Sequence, residues 1–397
     1  MKAVILAAGE GKRLRPFTET MPKVMLPVAN KPIIHHVVDA LVENGITEII
    51  IVVGYKKESI MQHFKTFDKA KITFAIQDKQ LGTAHALLQA KQHIDDSFII
   101  LPGDNVISAS SISKLIDQEN DHALLIKRFD KPSKYGMVSI SKNRLQKIIE
   151  KPTIIEEDSF ISTGIYKFPK TIFSEIEEIT NQGEYRLTSV IQNLVKKEIE
   201  ITVVQANNWL DVVYPWDLLS VNDAQLRKSS SGSTTSGKIE KNVTMKGPVI
   251  IGENTQIHSG TYIIGPVIIG KNCEIGPNTI IYPSTTIGDN TVIRSFTEIK
   301  NSIIMNDVKI RSNSVLTHSV IGKGTILDHG FSSLVGESKK HFETECMHIK
   351  DIGVMIAEDS VINSHVVTNP GIIIGRRCHI SPLKHVHQDI ASETRVM

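Results

Sequence analysis

The chain has 397 residues, and 45 Lys and Arg against 43 Asp and Glu leave a formal net charge of +2. That length allows two or three domains, and 41% hydrophobic with 22% charged residues excludes a disordered chain. Near-neutrality gives no electrostatic reason to expect nucleic acid or membrane as a partner, and the three distant cysteines, Cys273, Cys346 and Cys378, form neither a disulfide framework nor a clustered zinc site.

The opening MKAVILAAGEGKR has too short an apolar run for a signal peptide or a membrane span, so a cytoplasmic protein is expected. Lys2–Ala8 reads as a buried strand, and Pro32–Asn44 as a helix opened by proline and stopped at Gly45. Thr47–Val53 is a second strand, Glu58–Phe67 a helix and Ile72–Ile76 a third strand. Thr83–His93 follows as a helix, then Ser97–Leu101 as a strand running into Pro102-Gly103-Asp104. Strands without polar alternation, separated by helices, predict an α/β domain with a Rossmann-like parallel or mixed sheet covered on both faces. Ligands of such sheets lie beyond the carboxyl ends of the strands, which directs attention to the turns after Ala7, Ile76 and Leu101.

At Lys228–Lys238 the composition changes to KSSSGSTTSGK, which reads as a flexible linker (228–238) between a first domain (1–227) and a second (239–397). Beyond it, isoleucine recurs every six residues from Ile251 to Ile299, with Ile239 and Met245 extending the register backwards. Neither an amphipathic helix nor a hairpin meander has this period. A hexapeptide parallel β-helix does, with one inward apolar residue per short strand and Gly or Asn (Asn254, Asn272, Asn278, Asn290) at the corners. About three hexads per coil would stack Ile251, Ile269 and Ile287 on one edge. The register slips by one at Ile304 and again at Ile321, is lost over an irregular stretch near 328–351, and resumes from Ile356 to Val386.

The loop Ala7-Ala8-Gly9-Glu10-Gly11-Lys12-Arg13-Leu14 follows a strand and carries two cations. It is not a P-loop, since Arg13 follows Lys12, and it is not a dinucleotide fingerprint, since Leu14 stands where a third glycine is required. Two readings remain: a plain strand–helix turn, or a loop whose backbone N–H groups approach a polyphosphate while Arg13 pairs with its oxygens.

The longer stretch LAAGEGKRLRPFTETMPKVMLPVANKPII resembles the signature of the sugar-1-phosphate nucleotidylyltransferases. The similarity runs over nearly the whole chain, towards archaeal two-domain members in which that domain is fused to a left-handed parallel β-helix, some of which also acetylate an amino sugar. The resemblance implies attack of a sugar-1-phosphate oxygen on the α-phosphorus of a nucleoside triphosphate, with loss of pyrophosphate. It implies Arg13 and Lys23 as the catalytic cations and Asp104 and Asp211 as ligands of Mg²⁺, with Asp217 and Asn222 as neighbours able to replace Asp211. Nucleotide contacts fall on Leu6, Ala8, Gly9, Gly11, Gln77, Gly82 and Thr83. The Gln77 amide complements a uracil or thymine edge, so UTP, or dTTP, is the expected donor. Gly136, Glu150, Lys151 and Thr163 fall on the sugar-phosphate site, for N-acetylglucosamine-1-phosphate or glucose-1-phosphate. Relatives have Asn where Ser162 precedes Thr163-Gly164, which leaves that choice of sugar open.

In the family's bifunctional members the β-helix trimerises and supplies a histidine base for acetyl transfer. Here that position falls at Ser312-Asn313, and the Asn-ending stretch after it reads Asp328-His329-Gly330-Phe331-Ser332-Ser333. His318 or His329 could replace the base, and His341, Cys346 and His348 could hold a metal, but a structural β-helix used for homotrimer assembly is the expectation. A second enzyme reading adds acetyl transfer, and a third makes the chain a non-catalytic assembly subunit. The presence of Arg13, Lys23, Asp104, Asp211 and Lys151 speaks against the third.

Overall fold

The computed structural model describes residues 1–129, 135–150, 159–228, 232–342 and 345–397. The chain forms two compact units, the first from Met1–Glu10, Met21–Met25 and Ile33–Asp211, the second from Gly11–Thr20, Leu26–Pro32 and Val212–Met397.

In the first unit β1 (Lys2–Ala7), α1 (Ile33–Val42), β2 (Glu48–Val53), α2 (Lys57–His63), β3 (Lys71–Ile76), α3 (Thr83–Leu88) and β4 (Phe98–Pro102) alternate. They give a parallel half-sheet in the order β3-β2-β1-β4. Neighbouring residues of one strand serve opposite layers. Ile5, Ile49, Ile51 and Leu101 pack with Ile34, Val38 and Leu41 of α1. Val4, Ile50 and Ile100 pack on the other side with Leu87 of α3. Such double coverage explains why these strands read as unbroken apolar runs. The helix expected over Thr83–His93 stops at Leu88 and is followed by a 3₁₀ turn at Lys91–His93.

The sheet then changes direction. β5 (Asn105–Ile107) and α4 (Ala109–Ile116) lead into β6 (Ala123–Phe129), β7 (Gly136–Ser141), β8 (Arg144–Glu150) and β9 (Ser159–Phe168). α5 (Ile172–Asn181), α6 (Leu187–Lys196), β10 (Thr202–Gln205) and β11 (Trp209–Asp211) complete the unit. β9 lies antiparallel to β4, and β6, β10, β8 and β7 extend the edge, so nine strands among the described residues form one mixed sheet. β11 pairs antiparallel with β5, setting Asp211 opposite Asn105.

In the second unit the period of six becomes geometry. Ile251 pairs in register with Ile269, Ile269 with Ile287, Ile287 with Ile304 and Ile304 with Ile321. Each one-residue slip in the sequence period is thus a coil one residue shorter, with the ladder unbroken. The other two faces stack Ile257, Ile275 and Ile293, and Ile263, Ile281 and Ile299. The nine isoleucines in this six-residue register, Ile251 to Ile299, are all buried in one core. At one corner Asn254, Asn272, Asn290 and Asp307 all adopt positive φ. Their side chains bond rung to rung at 3.3, 3.2 and 3.0 Å. Asparagine tolerates this conformation because its short polar side chain bonds locally.

The irregular stretch is a β-hairpin of Gly336–Phe342 and Glu345–Ile352 inserted between coils. Just before it Ser333 takes an inward position, and Phe331, fully buried, joins the core two residues earlier. The expected linker needs correction. Thr234–Thr235 pairs with Val249–Ile251 and Lys238–Ile239 with Gln256–Ile257, so the first coil begins inside it. Polar composition concealed this, because threonine's β-branch suits a strand whose side chains are exposed. Residues 229–231 lie outside those described. α7 (Asp217–Lys228) belongs to this unit: buried Asn222 donates to Ser284 O at 3.0 Å and accepts from Ala29 N at 2.8 Å.

Candidate active site

Three loops meet beyond the carboxyl ends of the parallel strands of the first unit. Ala8 O, after β1, accepts from Tyr55 N at 3.1 Å, and Gln77 N, after β3, donates to Val53 O at 2.8 Å. Gly54 sits where a Cβ would lie 2.7 Å from Gln80 Nε2 and 2.9 Å from Ala8 O, so only glycine lets the three turns close. Leu6 O accepts from Gly103 N at 2.9 Å, drawing the turn after β4 into the same cluster. Leu6, Ala8, Gly9, Gln77 and Asp104 are therefore assembled at the place the strand order predicts, with Gly9 exposed.

The charged centre of this cluster is Lys23. Its Nζ lies 2.6 Å from Asp104 Oδ2 and 3.5 Å from Asp211 Oδ1. Asp104 leaves the turn after β4, and the β5–β11 ladder brings Asp211, 107 residues later in the chain, to the same ammonium. Burial alone would lower the Lys23 pKa, but the two carboxylates outweigh it and hold the ammonium above its ordinary range. A fixed cation lets two carboxylates share one site without mutual repulsion. Asp217 and Asn222 are engaged elsewhere: Asp217 accepts from Val213 N and Tyr214 N at 2.8 Å each, and Asn222 holds the backbone positions given above. Among the described residues no group of three or more His, Cys, Asp or Glu converges. A cation held by Asp104 and Asp211 would have these two carboxylates as its acidic ligands. Two hard carboxylate ligands of this kind fit Mg²⁺.

Gln77 is 3% exposed. Its amide nitrogen donates to Gly82 O at 3.2 Å and meets His85 Nδ1 at 2.9 Å. The carbonyl of Gly82 fixes the amide orientation, because the reverse would place oxygen against oxygen. With both donors committed, Gln77 presents only an acceptor. His85, missed in the sequence, is the residue that commits the second proton, and its place in the first turn after Gly82-Thr83 was the available signal. At Gly82 a Cβ would collide with Tyr185 O, and Thr83 Oγ1 accepts from Leu187 N at 3.0 Å.

Gly136 and Glu150 face each other across the β7–β8 ladder. Lys151 lies outside the described residues. Thr163 sits at a bulge of β9, 3% exposed, and donates to Leu125 O at 2.8 Å. Its hydroxyl proton is thus committed to the sheet. Gly11 and Arg13 belong to the second unit, where Gly11 takes φ 72° and opens the 3₁₀ turn Lys12–Leu14.

Residues 2–228 match the family model described as Nucleotidyl transferase. The chain belongs to this family. Residues 263–396 match a second model, the GMPPB C-terminal domain. Among relatives of this nucleotidyl transferase, the Bifunctional protein GlmU of Methanococcus maripaludis is 37% identical over 408 residues, covering 100% of this chain and 97% of that protein. The UTP–glucose-1-phosphate uridylyltransferase AglF of Haloferax volcanii is 38% identical over 229 residues, 55% of this chain and 93% of its own length. A solved structure titled as a putative glucose-1-phosphate thymidylyltransferase from Bacillus anthracis, in complex with a sucrose, superposes with a TM-score of 0.52 at 28% identity. It covers 56% of this chain and 94% of that one.

Proposed function

We propose that this chain transfers a nucleotidyl group from UTP, or dTTP, to N-acetylglucosamine-1-phosphate or glucose-1-phosphate, releasing pyrophosphate. The observation that carries the reading is the convergence of Asp104, Lys23 and Asp211 at the carboxyl edge of the sheet. A phosphate oxygen of the sugar-1-phosphate forms a bond to the α-phosphorus. The bond from that phosphorus to the β-bridging oxygen breaks, and its electron pair leaves with pyrophosphate. Such displacement asks the protein mainly for alignment and charge. Lys23 and Arg13 supply positive charge where it accumulates on the triphosphate. Asp104 and Asp211 would hold Mg²⁺, which when bound neutralises phosphate oxygens and orders them for in-line attack. Gly136 and Glu150 would carry the sugar.

The base is read by the Gln77 acceptor, which suits the N3–H of uracil or thymine. An acceptor alone also suits the N1–H of guanine, so selectivity is the sharpest test of this reading. Wild-type protein is expected to use UTP or dTTP at least about a hundredfold better than GTP in kcat/KM. Gln77→Met, which keeps length and removes the amide, should raise KM for the nucleotide about tenfold and leave kcat within about threefold. A preference for GTP would overturn the assignment of the base.

For the β-helix we propose assembly, as a homotrimer, without acetyl transfer. Its outward residues Tyr262, Ile264, Ile280 and Tyr282 form an apolar strip on one face. Asn313 occupies a corner at φ 62°, and Ser312 Oγ lies 3.2 Å from Ser295 Oγ. His318 Nδ1 is buried with no hydrogen-bond partner, so nothing fixes the ring tautomer as a general base requires.

A further inference from the structure

The segment that carries Gly11 and Arg13 is built from short turns held by local hydrogen bonds. Two 3₁₀ turns, Lys12–Leu14 and Phe17–Glu19, bury Leu14, Phe17 and Thr18. Leu14 N donates to Gly11 O at 2.9 Å, and Thr18 Oγ1 donates to the same oxygen at 2.9 Å. The far end of the piece is fastened to the last coils of the β-helix. Arg376 Nε lies 3.2 Å from Glu19 Oε2, and Ser392 Oγ donates to that oxygen at 2.9 Å. Ser392 Oγ in turn accepts from Arg376 N at 3.2 Å. The other arm of the guanidinium is 2.9 Å from Glu393 Oε1, so Arg376 is held from two sides. One residue on, Thr20 Oγ1 donates to Glu358 Oε2 at 2.7 Å.

Glu358, Arg376 and Ser392 each stand two residues past a paired isoleucine, Ile356, Ile374 and Ile390. They therefore occupy one corner of three successive coils, and their side chains form a polar ladder with a rung about every 4.8 Å. Most side chains at this corner elsewhere, such as Glu253 and Lys271, bond to other rungs. These three turn also to Glu19 and Thr20. The Arg376 and Glu19 side chains are 22% and 30% exposed, so the pair is shielded more than an ordinary surface contact.

We propose that this corner is a clamp that fixes the Gly11–Thr20 loop in its nucleotide-binding form, with Arg376 as the principal positioning residue. The inference rests on the proposed nucleotidyl transfer only in assigning the loop to the triphosphate. A loop that must be ordered at each binding event loses affinity in proportion to the fraction of time it is competent. The β-helix thereby serves the transfer reaction directly, through nucleotide affinity.

The test is a double-mutant cycle in the full chain, with Arg376→Ala, Glu19→Ala and their combination. Each single change should raise the nucleotide KM about tenfold, with kcat and the sugar-phosphate KM within about twofold, and the double should be no worse than either single. Arg376→Lys should recover part of the loss. Amide exchange at Leu14 and Glu19 should quicken about tenfold in the same variants, a readout independent of catalysis. Additive effects, or unchanged KM and unchanged exchange, would overturn the clamp. If Arg376→Ala does not fold, Thr20→Val cuts only the Glu358 rung, and a nucleotide KM raised about threefold supports the clamp while no change rejects it. A wild-type protein without transfer activity would count against the function, while exchange would still decide the clamp.

Discussion

Asp104→Ala is expected to lower nucleotidyl transfer about a thousandfold while the protein stays folded. The carboxylate is 2.6 Å from the Lys23 ammonium, and it is one of two acids proposed to hold the cation that neutralises the triphosphate. Removing it leaves Lys23 with Asp211 alone and withdraws half of the metal's protein ligands. Asp104→Asn keeps the shape and removes the charge, so a matching loss assigns the effect to electrostatics rather than packing. Pyrophosphate release reads the rate, and a thermal melt within a few degrees of wild type establishes the fold. Turnover within tenfold of wild type would remove Asp104 from the centre.

The second large effect is an absence. With acetyl-CoA and glucosamine-1-phosphate, thiol release should stay at background in a preparation that forms nucleotide sugar. An amine acceptor is protonated at neutral pH and needs a base within hydrogen-bond reach. Ser312 and Asn313 cannot accept a proton near pH 7. Burial pulls the His318 pKa below its ordinary value, Lys300 adds to that fall and Asp351 opposes it. The ring is thus mostly neutral at pH 7, but its Nδ1 is sealed and unpartnered. Thiol release that disappears with His318→Ala or His329→Ala would make the chain bifunctional, as the name of its Methanococcus relative says of that protein.

The β-helix was legible because its physics is periodic. One inward residue per strand forces an isoleucine every six positions, and even the one-residue slips at Ile304 and Ile321 marked real coils. The parallel half-sheet was legible for a different reason, since double burial leaves unbroken apolar runs. What stayed hidden depends on contacts between distant residues. Nothing local to Lys23 announces that it joins Asp104 to Asp211, and for Gln77 only the place of His85 in the turn after Gly82 signalled that both amide protons are taken. The bond from Thr163 to Leu125 O was not visible, because a bulge cannot be seen in a strand's composition. The Ser- and Thr-rich stretch passed as linker because an exposed first coil needs no apolar residue on its outer side. Glu19 and Arg376 are 357 residues apart, and only the coil geometry brings them together.

The reaction itself is the central claim, and its stoichiometry tests it most directly. Full-length protein would be incubated with UTP, Mg²⁺ and either N-acetylglucosamine-1-phosphate or glucose-1-phosphate, and the products resolved by mass spectrometry. The account predicts nucleotide sugar and pyrophosphate in equal amounts, with neither formed when the sugar phosphate is withheld. Release of UDP and inorganic phosphate instead would place the attack on the γ-phosphorus and contradict it, as would no consumption of any nucleoside triphosphate with any sugar-1-phosphate.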